Sequence, residues 1–223
     1  MDDKKLRMHG KHQPDGTNNS TQEKKEQQKG NKRDRSDSLF ATLIPITLKY
    51  EGGLVNAPND RGGKTNWGIT HKFLKTYKNR AGISTEDVSD LTKEDAIKLY
   101  KAEWDNYGFG ELDKTDIIKL VHDFSVNSGP TKAIKTLQEI LNKRGFNLTV
   151  DGHIGAKTNK AVNSVDENWL KQELQRSRAE HCDRIVDKHP EQKVFIRGWF
   201  NRINDIGRKC GCNTIFQSRH LKY

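Results

Sequence analysis

The chain has 223 residues and a formal net charge of +10, with 32% hydrophobic and 31% charged residues. This length can bury a core without disulfides, but such a polar composition indicates that part of the chain stays unfolded. No apolar run approaches the ~20 residues that a membrane-spanning helix needs, and the N-terminus lacks the apolar segment of a secretory signal. We therefore expect a protein made without a signal peptide or a membrane span.

The first 38 residues differ from the rest in composition. Their large apolar side chains are only Met1, Leu6 and Met8, and they hold ten Lys and Arg against seven Asp and Glu. We predict a disordered basic tail over residues 1–38. The remaining chain is also basic, with a net charge of +7, and a basic surface attracts nucleic acid, anionic membranes or acidic cell-wall polymers.

The spacing of apolar residues predicts a mainly α-helical chain. The first helix is expected to begin near Ser38 and to end at Glu51, with Pro45 as an irregularity inside it. The glycine-rich stretch that follows favours a small β-hairpin or loop near residues 54–66. One short strand is expected at Phe146–Val150. Later helical patterns run over residues 69–78, 92–104, 117–124, 130–145, 169–185 and 190–206.

Two helix starts carry their own signals. Thr92 and Asp95 have the spacing of a capping box, in which each side chain bonds the backbone N–H of the other residue. Pro130 follows Gly129 and suits the first turn of a helix, where its missing N–H costs nothing.

Glu51 is the acidic residue whose position in the sequence most favours a catalytic role. It ends an apolar helical pattern and precedes Gly52 and Gly53, so its carboxyl group could lie partly desolvated at the wall of a cleft. Desolvation raises the pKa of a carboxyl group, as a general acid near neutral pH requires. Glycoside hydrolysis pairs such an acid with a second carboxylate, for which Asp60 and Asp123 are candidates. A solvated glutamate at a helix end is the plainer alternative.

The spacing of the histidines and cysteines indicates neither a metal site nor a cofactor site, and we expect none. His71, His122 and His153 are scattered without ligand spacing. Cys182, Cys210 and Cys212 form an odd set without zinc-ligand partners, and we expect ordinary reduced thiols. Trp67 stands out in a polar glycine loop, where it either packs inward or stacks on a sugar ring.

The segment EGGLVNAPNDRGGKTNWGIT resembles the signature of the glycoside hydrolase family 108 lysozymes, which are bacterial and phage N-acetylmuramidases. Their hallmark is Glu-Gly-Gly followed by Asn, Pro, Asp, Gly-Gly, Thr and Gly-Ile-Thr. Four later segments resemble further motifs of this family in the same order, and the last three are typical of its C-terminal peptidoglycan-binding domain: EWDNYG, HDFSVNSGPTKAIKTLQ, VDGHIGAKT and FIRGWFNRI. The resemblance covers roughly residues 39–207.

The resemblance implies a mainly α, lysozyme-like fold with a small β element. It also implies a division into a tail over residues 1–38, a catalytic lobe over 39–128, a helical peptidoglycan-binding region over 129–209 and a C-terminal tail over 210–223. Within VDGHIGAKT, Asp151 and Thr158 are expected to shape a turn and open a helix rather than to bind ligand.

Residue by residue, the resemblance places the catalytic acid at Glu51 and suggests Asp60 as the second carboxylate. Arg61 beside Asp60 would favour its ionised form. A looser resemblance to phage-type lysozymes puts Asn66 where those enzymes have a threonine, which leaves the water-positioning role of that threonine in doubt. The residues expected to contact the substrate are Asn66, Trp67, Thr70, Asp123 and Asn127.

The implied activity is cleavage of the β-1,4 bond between N-acetylmuramic acid and N-acetylglucosamine. The expected partner is the glycan strand of peptidoglycan, and the protein is expected to be a monomer that acts at the bacterial cell wall as a phage endolysin or a secreted effector. An effector would need an immunity protein in its producer. The alternatives are a non-catalytic peptidoglycan-binding protein and nucleic-acid binding by the basic tail, which lacks the aromatic residues that stack on bases.

Overall fold

A computed structural model describes the backbone of residues 17–51 and 64–221. The prediction of a mainly α, lysozyme-like fold with a small β-hairpin is confirmed. Short 3₁₀ helices occur at Val88–Asp90, Phe109–Glu111 and Pro190–Phe195. The longer elements are α1 Thr17–Glu51, β1 Thr65–Asn66, β2 Ile69–Thr70, α2 His71–Ala81, α3 Lys93–Tyr107, α4 Thr115–Ser128, α5 Pro130–Lys143, α6 Ala156–Asn163, α7 Glu167–Lys188 and α8 Ile196–Lys209.

Helix α1 begins well before Ser38, so the prediction of disorder is wrong for residues 17–38. The segment lacks large apolar side chains, but it is rich in helix-forming Lys, Glu and Gln. It is also attached to the body. Trp104 Nε1 donates a 2.9 Å hydrogen bond to the buried Ser36 Oγ, Arg35 bonds backbone carbonyls of Leu112 and Asp113, and Lys32 pairs with a carboxylate nearby. Residues 1–16 lie outside the described part.

The hairpin lies at residues 65–70, at the C-terminal edge of the range that the sequence predicts. Strands β1 and β2 pair antiparallel, Thr65 with Thr70 and Asn66 with Ile69, so the connecting turn has only two residues. Residues 54–63 of the predicted range are outside the described residues.

The predicted strand at Phe146–Val150 is wrong. This segment forms no regular secondary structure and pairs with no strand in the described chain. Asn142 at the end of α5 replaces a strand partner, because its side chain accepts from the N–H of Leu148 and donates to its carbonyl. The side chain of Asn142 thus satisfies the backbone N–H and carbonyl of Leu148, which a neighbouring strand would otherwise bond.

The helix starts at α3 and α5 are as predicted. Thr92 and Asp95 form a complete capping box, and Pro130 is the first residue of α5. Residues 190–206, expected as one helix, divide into a 3₁₀ helix and α8.

One hydrophobic core joins the first and second halves of the chain. Its buried residues extend from Phe40 in α1 to Cys212 beyond α8. Helix α4 packs against α5, α7 and α8, so residues 39–128 and 129–209 share buried surface. A smaller cluster lies between the C-terminal half of α7 and α8.

The segment after α8 packs on the body. Ser218 is buried and donates to Asp183 of α7, while His220 Nε2 lies 3.0 Å from an Asp187 oxygen. Among the helices of the described chain, none is long and apolar enough to cross a membrane.

Candidate active site

Glu51 is the last residue of α1. The preceding turn is anchored by Thr47 and Leu48, each only 4% exposed, so the helix end is fixed to the core. The side chain of Glu51 is not among those described, and Asp60 also lies outside the described residues. The described residues resume at Lys64, immediately before β1. Helix α1 and the hairpin therefore lie on either side, in sequence, of the segment that contains Asp60.

Two of the predicted substrate-binding side chains have structural partners in the hairpin. The buried amide of Asn66 donates to the carbonyls of Val88 and Leu91, at 3.0 and 3.1 Å. Thr70 caps α2 by accepting a hydrogen bond from the N–H of Phe73. These contacts fix the hairpin against the following segment and against α2.

Trp67 lies at the tip of the hairpin, half-buried against the core. Its φ of 55° is in the left-handed region, and Gly68 follows with a φ of 75°. The carbonyl of Trp67 accepts a 3.1 Å hydrogen bond from the hydroxyl of Tyr100 on α3. A large, partly buried aromatic side chain therefore belongs to a constrained turn three residues after the described chain resumes at Lys64.

Asp123 and Asn127 on α4 are engaged by arginines of the second half. Arg178 Nη1 lies 2.7 Å from Asp123 Oδ2, and Arg202 Nη2 lies 3.0 Å from Asp123 Oδ1. Arg178 also donates to the side-chain oxygen of Asn127. Burial opposes ionisation of Asp123, but the two guanidinium groups outweigh it and lower the pKa of its carboxyl group. Each carboxylate oxygen of Asp123 thus takes part in an ion pair, and the two pairs connect α4 to α7 and to α8.

Glu103 on α3 is a buried acid that the sequence reasoning missed. It is 6% exposed, and burial raises the pKa of its carboxyl group to about 8. Its charge in turn adds to the effect of burial in raising the pKa of Tyr77 on α2. The signal was available in the sequence, because Glu103 is four residues after Leu99 and three after Tyr100, on the same apolar face of the helix.

The motifs EWDNYG and VDGHIGAKT of the two halves contact one another. Gly108 ends α3 with a φ of 75°, and a Cβ atom there would lie 2.3 Å from the carbonyl oxygen of Ile154. Gln138 of α5, 1% exposed, donates to Asp151 Oδ1 and accepts from the N–H of Gly152. Asp151 thus has the structural role in the turn that was expected.

Two of the histidines that the sequence singled out pack against aromatic rings. His122 is enclosed by Trp104 and Phe109, and burial lowers the pKa of its imidazole to about 4. His153 stacks on Tyr107 with ring centroids 5.1 Å apart. Residues 17–51 and 64–221 contain no cluster of three His, Cys, Asp or Glu side chains that could hold a metal ion.

Residues 44–129 match the family model described as glycosyl hydrolase 108. Residues 44–129 form a glycosyl hydrolase 108 domain. This glycosyl hydrolase 108 domain begins within α1, contains the position of Glu51 and ends with α4. Residues 132–204 match the model described as a predicted peptidoglycan domain, so the order of domains that the resemblance implies is confirmed.

A solved structure agrees with this assignment. The chain is similar to the one titled "Structure of Brucella abortus SagA", with a TM-score of 0.65 and 28% sequence identity over 83% of this chain and 99% of that one. No curated protein matches the sequence. The glycosyl hydrolase 108 domain and the peptidoglycan domain that follows it support a peptidoglycan hydrolase of the lysozyme type that acts at the cell wall.

Proposed function

We propose that the protein is an N-acetylmuramidase that hydrolyses the β-1,4 bond between N-acetylmuramic acid and N-acetylglucosamine. The match of the glycosyl hydrolase 108 model across the end of α1 carries this proposal, because it includes Glu51 and the glycine-rich segment after it. Glu51 acts as the general acid. Its position at the end of a core-anchored helix supports this role, since a proton donor must be held still beside the leaving oxygen.

The reaction adds water across one glycosidic bond. Glu51 gives its proton to the oxygen that leaves with the departing sugar, while positive charge develops on the ring that stays behind. Asp60 supplies the second carboxylate, either to that developing charge or to the attacking water. Its neighbour Arg61 favours the ionised state that both tasks require.

Contacts of Asp123 favour Asp60 over Asp123 as the partner of Glu51. To reach substrate, Asp123 would have to give up contacts with Arg178 and Arg202, and its side chain is only 10% exposed. Removing a carboxylate from such a buried pair leaves unpaired charge at a cost of several kcal/mol. We assign Asp123 and Asn127 to the link between the two halves, and Trp67 to contact with the sugar.

The second half supplies the attraction to the wall. Residues 129–223 contain 18 Lys and Arg against 10 Asp and Glu, whereas residues 39–128 contain 12 against 13. Positive charge is therefore concentrated in the part that matches a peptidoglycan domain. This distribution suits binding to a wall that carries anionic polymers. The rigid link through Asp123 then keeps the catalytic domain close to the bound glycan.

We further propose that the protein works as a monomer, delivered as a phage endolysin or as a secreted antibacterial effector with an immunity protein in its producer. A non-catalytic peptidoglycan-binding protein is the alternative. The presence of Glu51 before a glycine-rich segment favours the enzyme, since a protein that only binds glycan has no need of this acid.

Digestion of purified peptidoglycan tests the proposal. Mass spectrometry of the products should show new reducing ends on N-acetylmuramic acid; reducing N-acetylglucosamine or cut stem peptides would contradict it. The variant Glu51→Gln should lose at least about 100-fold in rate, because proton donation typically contributes that much. Glu139→Gln, an exposed position on α5, is the matched control and should retain activity. Equal rates for the two variants would exclude Glu51 as the acid.

A further inference from the structure

The backbone at Trp67 is under strain. A two-residue hairpin turn with positive φ at both positions normally holds Asn or Gly. Among the described residues Trp67 is the one non-glycine with positive φ. A bulky side chain in this region is disfavoured, so the surrounding structure must hold the turn in place.

Tyr100 supplies one of the restraints. Its hydroxyl donates to the carbonyl oxygen of Trp67 at 3.1 Å, across 33 positions of sequence. The donor is itself well fixed, because Tyr100 is 4% exposed and its ring lies 5.4 Å from that of Phe73. On the other side of the turn, the bonds of Asn66 to Val88 and Leu91 fix strand β1.

The strained turn carries a side chain suited to sugar binding. The indole of Trp67 is half-buried, with one part packed on the core and the rest at the surface. The face of an aromatic ring packs well against the C–H groups of a pyranose. A glycine or asparagine would make a more relaxed turn but would present no such surface.

We propose that Tyr100 is a positioning residue, whose hydroxyl holds the Trp67 turn so that the indole is ready to pack on the glycan. This inference rests on the proposed function. In this inference Tyr100 acts on affinity, because its hydroxyl bonds the carbonyl of the turn that presents Trp67. Without the hydroxyl the turn relaxes, and substrate must select a less populated conformation.

The first test compares Tyr100→Phe with the wild-type protein on soluble glycan strands freed of stem peptides. KM should rise about two- to tenfold, as the loss of one hydrogen bond typically produces, while kcat stays within twofold. Tyr107→Phe is the matched control: it removes a hydroxyl from the same helix, where the contact is with Thr131 Oγ1 at 3.2 Å. Its KM should be unchanged.

A second comparison shows whether Tyr100 acts through Trp67. Trp67→Gly should raise KM, and adding Tyr100→Phe should raise it no further, because glycine adopts positive φ unaided and there is no indole to place. An equal additional rise in that background would overturn the inference.

Other outcomes are equally decisive. A Tyr100→Phe protein with a lower melting temperature but an unchanged KM would make Tyr100 merely structural and overturn the inference. Wild-type protein that releases no reducing ends would remove the proposed function and this inference together. An active wild type with equal KM for the two Tyr→Phe variants would overturn the inference alone.

Discussion

Arg178 of α7 and Asp123 of α4 form a buried ion pair, with Nη1 and Oδ2 2.7 Å apart and side chains only 3% and 10% exposed. Arg202 of α8 contacts the same carboxylate. Three helices therefore meet at one acid. Because α4 belongs to the glycosyl hydrolase 108 domain and Arg178 and Arg202 lie in the segment that matches the peptidoglycan domain, this contact joins the two domains.

Asp123→Asn should destabilise the protein by about 3 kcal/mol, because it removes the carboxylate that pairs with the buried guanidinium group of Arg178. Chemical denaturation measures this loss. Asp116→Asn is the control, since its pair with Lys119 is half-exposed and should contribute less than about 1 kcal/mol. The rate per folded Asp123→Asn molecule should stay within about threefold of wild type. A large loss of rate with unchanged stability would instead place Asp123 in the chemistry.

Glu103 should make the protein less stable as pH rises. Burial raises the pKa of its carboxyl group from 4.5 to about 8, so the folded state holds a proton that the unfolded state loses. Stability is full below pH 4.5 and falls between pH 4.5 and 8, by on the order of 5 kcal/mol for a shift of this size. Glu103→Gln cannot ionise and should remove this loss.

The measurement is the difference in unfolding free energy between variant and wild type across pH 5 to 9. For Glu103→Gln this difference should move in favour of the variant as pH rises. The exposed Glu94→Gln in the same helix should show a flat difference. Using differences cancels the opposite effect of His122, whose lowered pKa costs stability as the pH falls from 6.5 to 4. A flat profile for Glu103→Gln would mean that Glu103 is solvated.

Gly110 tests whether α1 packs on the body before Ser38. A Cβ atom at Gly110 would lie 2.1 Å from Ser36 Oγ, so Gly110→Ala should cost about 1–3 kcal/mol in stability. The cost should shrink in a Ser36→Gly background, where the clashing side chain is absent. Gly198→Ala, at an exposed helical site with open space around it, should be neutral or slightly stabilising. An unchanged melting temperature for Gly110→Ala would contradict the packing of α1.

Local signals predicted much of the fold. Capping at Thr92, the proline at the start of α5 and the break after Glu51 each depend on a few neighbouring residues, and helix starts and stops follow such rules. The errors lie where the structure depends on a side-chain contact that the pattern of apolar residues does not show. Ser36 is buried because Trp104 bonds it, and Phe146–Val150 lacks a strand partner because Asn142 takes the backbone bonds.

In the candidate site too, local sequence signals predicted some features, and contacts between separate elements decided the others. The sequence singled out Glu51, Trp67 and Asp123 by residue type and motif, and the glycosyl hydrolase 108 assignment followed from the order of those motifs. Spacing alone could not show that Asp123 is occupied by two arginines from far along the chain. Nor could it show the left-handed φ of Trp67, which belongs to a turn where a bulky residue is not expected.

The continuous core predicts that both halves unfold together. Helix α4 contributes buried residues on one side to the glycosyl hydrolase 108 domain and on another to α5, α7 and α8. A chain cut after Ser128 would expose apolar faces of α4 that α5 and α7 cover, so we expect it to remain unfolded. Scanning calorimetry of the whole protein should give one transition, with calorimetric and van't Hoff enthalpies equal. Two separated transitions would mean that the peptidoglycan domain folds by itself, and the shared core would then contribute little to stability.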